Sequence, residues 1–417
     1  MNDLLNKAKQ ITKEYHQEHV FRFYETLNNE KKEKLISQIL SIDFKTLTDL
    51  YEKTKIKEEK KEDKIEPISY VDKEKITAQE KEMLEKVGIE EIKAGKLAVV
   101  TMAGGQGTRL GHHGPKGTFI LDTENQKSLF EILCDTLKKA KEDYGAVIPW
   151  YIMTSKENYA DTVAFFEKEN YFHYGRENIF FFKQGEFPML DTNGKLLLNE
   201  EGTIKEAADG HGGVFESIIK NGVLQNMQQR KIEWIFIGGV DNCLVKMVDP
   251  LFIGMAVQKK VLAAGKSLVK ASPEEKVGIF CKKNGKPSVI EYTEITKEMA
   301  EMKNKDGELV YGESHILCNM FHIKAIEQIG DHKLPYHIAF KKATYKDENG
   351  NMVEPTEPNA YKFESFLFDA FERLDDMLIL RVKREEEFAP VKNASGVDSP
   401  ETARKLYHAF HEKSKNE

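Results

Sequence analysis

Residues 97–117, LAVVTMAGGQGTRLGHHGPKG, constrain the fold more than any other stretch of the chain. The apolar run Leu97-Ala98-Val99-Val100 reads as a buried strand. A loop follows it at once, with glycines at 104, 105, 107, 111, 114 and 117, a proline, Arg109 and Lys116. Glycine lets a backbone adopt left-handed conformations and lets another group approach closely. Successive N–H groups of such a loop form a concavity that suits anions. Arg109 and Lys116 add full positive charge, so phosphate is the natural guest. A plain strand-to-helix turn does not need this many glycines together with two cations.

The loop is neither of the two common phosphate motifs. The G-x-x-x-x-G-K-[ST] pattern has one partial match, Gly265-Lys266-Ser267, but Lys260 stands where its first glycine belongs; the triplet reads as a helix end followed by a strand. The G-x-G-x-x-G pattern begins at Gly105 and Gly107 and meets Leu110 at its third glycine. That position permits close helix packing, so a dehydrogenase reading weakens.

From Leu97 onward strands and helices alternate. Strands read at KLAVVTM, VIPWYIMTS, IFFFKQG and WIFIGGVDN, and Pro149 inside the second argues for an edge strand or a bend. Between them lie a helix capped by Ser128 and Glu131, a helix in ADTVAFFEKEN and one from about Phe215 to Gln229; DPLFIGMAVQKKVLAAG is helical after the fourth strand. Such alternation predicts an α/β fold, with a Rossmann-like, mixed and mostly parallel sheet covered by helices on both faces. Ligands then gather at the carboxyl ends of the strands. After about residue 276 the pattern changes to a hairpin turning at Asn284-Gly285, strands at CNMFHI and MLILRV, a helix near Glu364 to Arg373, and a last helix from Ser399-Pro400 to about Lys413.

Residues 1–52 read as helices, with Leu35, Ile36, Ile39 and Leu40 at helical spacing. The mixed-charge run KTKIKEEKKEDKIEP reads as a solvated linker or helix face. Thr77 and Glu80 form a capping box for a helix ending near Gly95. The resulting division is a helical N-terminal region at 1–95, a catalytic domain at 96–385, and a short C-terminal segment at 386–417.

A net charge of −7 argues against nucleic-acid or anionic-membrane partners, and no apolar run approaches the roughly 20 residues of a membrane span. The four scattered cysteines and the absence of an apolar signal core predict a cytoplasmic protein with reduced thiols. Asp241, just past the fourth strand, is a natural Mg²⁺ ligand, because that ion takes one or two carboxylates together with substrate phosphates. Asp249 reads instead as the N-cap before Pro250. Gly210, Gly212 and Gly213 in ADGHGG bring backbone close to a flat or hydroxylated ligand, or simply open a helix. His112-His113 reads as a solvated pair rather than a metal site.

The loop AGGQGTRLGHHGPKG resembles the signature of the eukaryotic-type UDP-sugar pyrophosphorylases, most of all their UDP-N-acetylhexosamine pyrophosphorylase branch. WYIMTS, FFKQGEFP, AADGHGG, VDNCLVKMVDPLFIG, VIEYTEI, FESFLFDAF and REEEFAPVKNA continue the likeness in order, over roughly residues 70–405. The resemblance implies a GT-A-like nucleotidyltransferase core that makes a UDP-sugar and pyrophosphate from UTP and a sugar 1-phosphate with Mg²⁺. By motif position, Gly104, Gly105, Gln184 and Gly210 match nucleotide contacts, with Gln184 the uracil-reading amide. Lys116, Arg109 and Lys392 match the cations of catalysis, and Asp241 the metal carboxylate. Gly278, Glu291, Phe366 and Phe368 match sugar contacts. His211 and His315 stand at sugar-side positions where that branch commonly has Asn, which leaves a UDP-glucose or broad UDP-hexose activity as the alternative. A non-catalytic UDP-sugar binder is expected to lack Lys116, Lys392 or Asp241, and all three are present.

Overall fold

A computed structural model describes residues 2–56, 63–330 and 333–416. Residues 57–62 of the mixed-charge run lie outside the described residues. The chain divides into two compact units. One comprises Met1–Glu62, Gly185–Gly213 and Leu334–Phe366; the other comprises Asp63–Gln184, Val214–Lys333 and Leu367–Glu417. This grouping differs from the sequence division at residue 95. The helix Ala78–Lys93, started by Thr77 Oγ1 accepting from the Glu80 amide at 3.2 Å, belongs to the second unit.

In the first unit, three helices, α1 (Asn2–Glu14), α2 (Asn29–Ser41) and α3 (Phe44–Lys55), share one core with segments far along the chain. Leu35, Ile36, Ile39, Phe44, Leu47 and Leu50 pack with Leu190, Leu198, Ile204 and Phe363. Two glutamines fix the alignment by using both ends of their amides. Gln38 donates to the Ile204 carbonyl (2.9 Å) and accepts from its amide (3.1 Å). Gln17 donates to Gly194 O (2.8 Å) and accepts from Leu196 N (2.9 Å).

The second unit is built on a sheet whose main path has eight strands: β1 (Val71–Asp72), β2 (Leu97–Met102), β3 (Trp150–Thr154), β4 (Ile179–Lys183), β5 (Trp234–Gly239), β6 (Ala263–Val269), β7 (Glu313–His322) and β8 (Leu378–Arg381). Their order is β1-β8-β6-β7-β5-β2-β3-β4. All neighbours are parallel except β7, which runs antiparallel to both β6 and β5. Every residue of β2 is buried, as a strand covered on both faces requires. The predicted mixed, mostly parallel sheet is present.

Four local expectations change. The helix read over DPLFIGMAVQKKVLAAG ends at Lys259, where Lys260 turns with φ +54°, and the last residues of that stretch begin β6 (Ala263–Val269). Pro149 does not mark an edge: β3 begins one residue later and lies between β2 and β4, while the Pro149 carbonyl accepts from Val99 N. The helix expected over Phe215–Gln229 is two helices, Val214–Lys220 and Val223–Gln229, separated at Gly222 with φ +70°. Residues 364–373 are the end of a strand (Ala360–Glu364) and a 3₁₀ segment (Leu367–Arg373) rather than one α-helix. The hairpin Ile279–Lys283/Lys286–Ile290 does turn at Asn284 and Gly285, both with positive φ.

Candidate active site

The glycine loop leaves the carboxyl end of β2 and folds back on itself. Gly107 N donates to Gly114 O (2.9 Å) and Lys116 N to Gly105 O (3.0 Å). His112 Nε2 bonds Thr118 Oγ1 at 2.7 Å and its ring packs edge-on to Phe119, so it shapes the loop. The base of the loop is held by Asn158, which is fully buried. Its Nδ2 donates to Ala103 O (3.0 Å) and its Oδ1 accepts from Ser155 N (2.9 Å). Asn158 is absent from the sequence reading. Its signal was legible as the reciprocal Ser155-x-x-Asn158 spacing just after a strand, where side chains replace backbone partners.

A cleft of about 460 Å³ opens beside this loop, lined by Gly105, Gln106, Arg109, Lys116, Asp241 and Lys392 among others. Asp241 follows β5, the strand beside β2, so both loops emerge at one sheet edge. Lys116 Nζ lies 3.4 Å from Asp241 Oδ2, with the side chains 17% and 26% exposed. Lys392 arrives from the C-terminal segment, which is docked rather than free. Val391 N donates to Asp241 O (2.9 Å) and Cys243 N to Ala389 O (3.2 Å). The Lys392 ammonium lies 3.7 Å from Asp398 Oδ2 and over the Phe388 ring. Four charged groups predicted from three separate stretches, Arg109 and Lys116, Asp241, and Lys392, thus line one cavity.

Gly104 and Gln184 also meet. A Cβ at Gly104 would stand 2.6 Å from Gln184 Oε1, so only glycine admits the amide there. The Gln184 backbone N–H donates to Thr154 O at the end of β3 (2.7 Å).

The sugar-side candidates form two groups, one in each unit. In the second unit, His315 N donates to Gly278 O (2.8 Å), and a Cβ on Gly278 would lie 3.2 Å from Glu291 Oε1. The His315 ring packs edge-on against Phe280, Phe368 and Phe371, with centroids 5.0, 5.9 and 5.9 Å away, and its Nε2 lies 3.2 Å from Asn319 Oδ1. In the first unit, His211 stacks on Phe366 at 5.4 Å, and His337, which the sequence reading did not single out, stacks on the same ring at 4.3 Å. Gly210 has φ +87°, and a Cβ there would meet Ser365 O at 2.2 Å. Its glycine character is therefore also required by packing.

Asp249 stands at the N-cap position before Pro250, but its side chain makes no capping hydrogen bond. It pairs instead with the buried Lys266 at 2.7 Å. Lys266 lies inside β6, so the Gly-Lys-Ser triplet is interior structure and not a phosphate loop. The four cysteines are free and buried, and burial pushes each thiol up to about 12, which leaves them inert as nucleophiles at neutral pH. Among the described residues no cluster of three or more His, Cys, Asp or Glu is placed to hold a metal, and no helix is long and apolar enough to cross a membrane.

The Rossmann-like sheet carries the glycine loop and a strand-end carboxylate on one edge, the place where such sheets bind their ligands. The family model UTP--glucose-1-phosphate uridylyltransferase matches residues 42–412, and the chain belongs to that family. It is 36% identical over 426 residues to the UDP-N-acetylglucosamine pyrophosphorylase of Saccharomyces cerevisiae, covering 97% of this chain and 89% of the relative. It is 37% identical over 339 residues to the UDP-N-acetylhexosamine pyrophosphorylase-like protein 1 of Homo sapiens, covering 78% of this chain and 67% of that one. Among solved structures, the uridine diphosphate N-acetylglucosamine pyrophosphorylase of Trypanosoma brucei, in complex with inhibitor, superposes with a TM-score of 0.84 at 30% identity, covering 99% of this chain and 86% of that chain.

Proposed function

We propose that the chain joins UTP to N-acetylglucosamine 1-phosphate, releasing pyrophosphate and forming the UDP-sugar. The observation that carries this reading is the convergence of Arg109, Lys116, Asp241 and Lys392 on one cleft beside the glycine loop. The relatives named for UDP-N-acetylglucosamine support the choice of sugar.

In the reaction, a phosphate oxygen of the sugar 1-phosphate attacks the α-phosphorus of UTP. The bond from that phosphorus to the bridging oxygen of pyrophosphate breaks, and no covalent enzyme intermediate is needed. The nucleophile is already anionic, so the barrier lies in bringing two anions together in line. Lys116 and Arg109 neutralise charge building on the α-phosphate and on the departing pyrophosphate. Lys392 orients the attacking phosphate. Gln184, set against Gly104, reads the uracil edge with one donor and one acceptor.

Asp241 fits a divalent cation, taken here as Mg²⁺: a single carboxylate in a phosphate cleft is enough, because that ion draws its other ligands from substrate phosphates and water. When bound, the ion supplies further neutralisation of the phosphate oxygens. Lys116, 3.4 Å away, keeps the Asp241 charge partnered meanwhile. The buried free thiols fit a reducing, cytoplasmic setting.

The test is pyrophosphate release from UTP with Mg²⁺ and a panel of sugar 1-phosphates. Release with N-acetylglucosamine 1-phosphate is expected; none with any sugar 1-phosphate would overturn the reading. The ring environments of His211 and His315 favour one second reading. Each imidazole is packed on phenylalanine within its own unit, so each position offers an aromatic ring where an amide would offer a donor and an acceptor in one plane, and on this reading plain hexose 1-phosphates are accepted as well.

A further inference from the structure

Lys266 takes no part in the cleft, yet its surroundings are unusual. Its ammonium is fully buried, donates to Asp249 Oδ2 at 2.7 Å and donates to Glu387 Oε2. Glu387 also accepts from Lys73 Nζ at 3.1 Å, and Lys73 reaches Glu386 at 3.4 Å. Four segments meet there: the turn at Lys73, the entry to the helix Pro250–Lys259, β6, and the residues shortly before Lys392. Burial alone would strip the charge from such a lysine. The two carboxylates override burial and hold the Lys266 pKa above its ordinary value. Burial would likewise push the Asp249 carboxyl up, but Lys266, with Lys246 and Lys73, holds it well below the usual carboxylate range.

The same segment is stitched to the Asp241 turn by its backbone. Asn242 Nδ2 donates to Glu387 O (2.8 Å), and Ala389 N donates to Asn242 Oδ1 (2.8 Å). Val391 N then donates to Asp241 O (2.9 Å), and Lys392 follows directly. The ion pairs anchor one end of the six-residue stretch 387–392, whose other end is the cleft lysine. Packing alone does not call for ions here, because apolar side chains of similar volume fill a buried site at no greater cost.

We infer that Lys266 and Glu387 are positioning residues: their buried ion pair clamps residues 387–391 onto the Asp241 turn and thereby sets Lys392 in the cleft. This rests on the proposed role of Lys392 in uridylyl transfer.

A double-mutant cycle tests it, with initial rates of pyrophosphate release and amide exchange by mass spectrometry on the full chain. Glu387→Ala is expected to raise KM for the sugar 1-phosphate and lower kcat, with KM for UTP unchanged. Lys392→Ala should cost about tenfold less in the Glu387→Ala background than in the wild type, because Lys392 is already displaced. The amides of Ala389 and Val391 should exchange faster while those of the β2 loop do not. If Glu387→Ala does not fold, the combination Lys266→Met, Asp249→Asn, Glu387→Gln removes the Lys266 charge together with the two carboxylates that pair with it, leaves Lys73 its partner Glu386, and should show the same split. Additive losses at Glu387 and Lys392 overturn the clamp and leave the catalytic reading standing. A Lys392→Ala enzyme with wild-type kcat/KM overturns both. Lower stability with every kinetic constant unchanged, or a combined variant unable to fold, makes the network purely structural and overturns the inference.

Discussion

Two lysines of the second unit meet carboxylates in opposite ways. Lys116 faces Asp241 across 3.4 Å, both partly open to a cleft. Lys266 is sealed between Asp249 and Glu387, with both carboxylates buried. The first pair is loose and partly exposed, so Lys116 can turn to a phosphate and Asp241 to a cation at little cost. The second is fully partnered in low dielectric, so removing one member strands the others. An anion-transferring site needs charges that are held in place but not committed to each other. The scaffold behind it needs charges that are committed completely.

The comparison can be broken most severely at Lys266. Lys266→Ala should destabilise the fold by about 3–5 kcal/mol, the range for removing one partner of a buried ion pair. Chemical denaturation measures it, and a loss within ordinary surface-mutation scatter would show that the network is not satisfied as described. The sign of the pH dependence follows from Asp249, whose folded pKa is depressed. Its contribution is complete above the unfolded value of about 3.9 and shrinks as pH falls from there toward the lower folded value. In Asp249→Asn, acid unfolding should therefore lose part of its steepness below about pH 4.

Lys116→Ala should instead leave stability nearly untouched and lower kcat by ~10²–10³, as for loss of one preorganised charge-stabilising donor. Steady-state kinetics with saturating UTP decide it; near wild-type turnover would reduce Lys116 to a loop-shaping residue. Gln184→Glu removes the amide donor and adds a charge, and should erode the preference for UTP over CTP by roughly 10- to 100-fold while the fold persists. Unchanged discrimination would place base reading elsewhere. The smallest expected effect is at the two histidines. The double variant His211→Asn, His315→Asn should sharpen the kcat/KM preference for N-acetylglucosamine 1-phosphate over glucose 1-phosphate by about tenfold, since polar groups that the wrong sugar leaves unpaired reject it. A wild type that already separates the two by about four orders of magnitude, with no change in the variant, would remove the histidines from specificity.

The two units also differ in how much of them was legible. The second unit follows from local pattern: apolar strands, capped helices such as the one started by Ser128, and the Asn284-Gly285 turn all carry their signals within a few residues. The first unit does not. Its helices were visible, but their partners at 190–204 and 334–366 are not periodic enough to announce a shared core. The domain grouping therefore escaped the sequence, since it is set by Gln17 and Gln38 binding backbone more than 160 residues away.

The sequence by itself determined the chemistry available at the sheet edge: a glycine loop after β2, a carboxylate after β5, and the cations within and beyond them. These are short-range facts, fixed by strand ends and turn residues. Only the tertiary structure decided which charges serve the cleft and which serve the core. Lys116 and Asp241 are 125 residues apart, and Lys266 and Glu387 are 121 apart. Nothing in the residue types separates those two pairs. Burial does, because the solvent left around a charge decides whether it stays available to a substrate or becomes part of the frame.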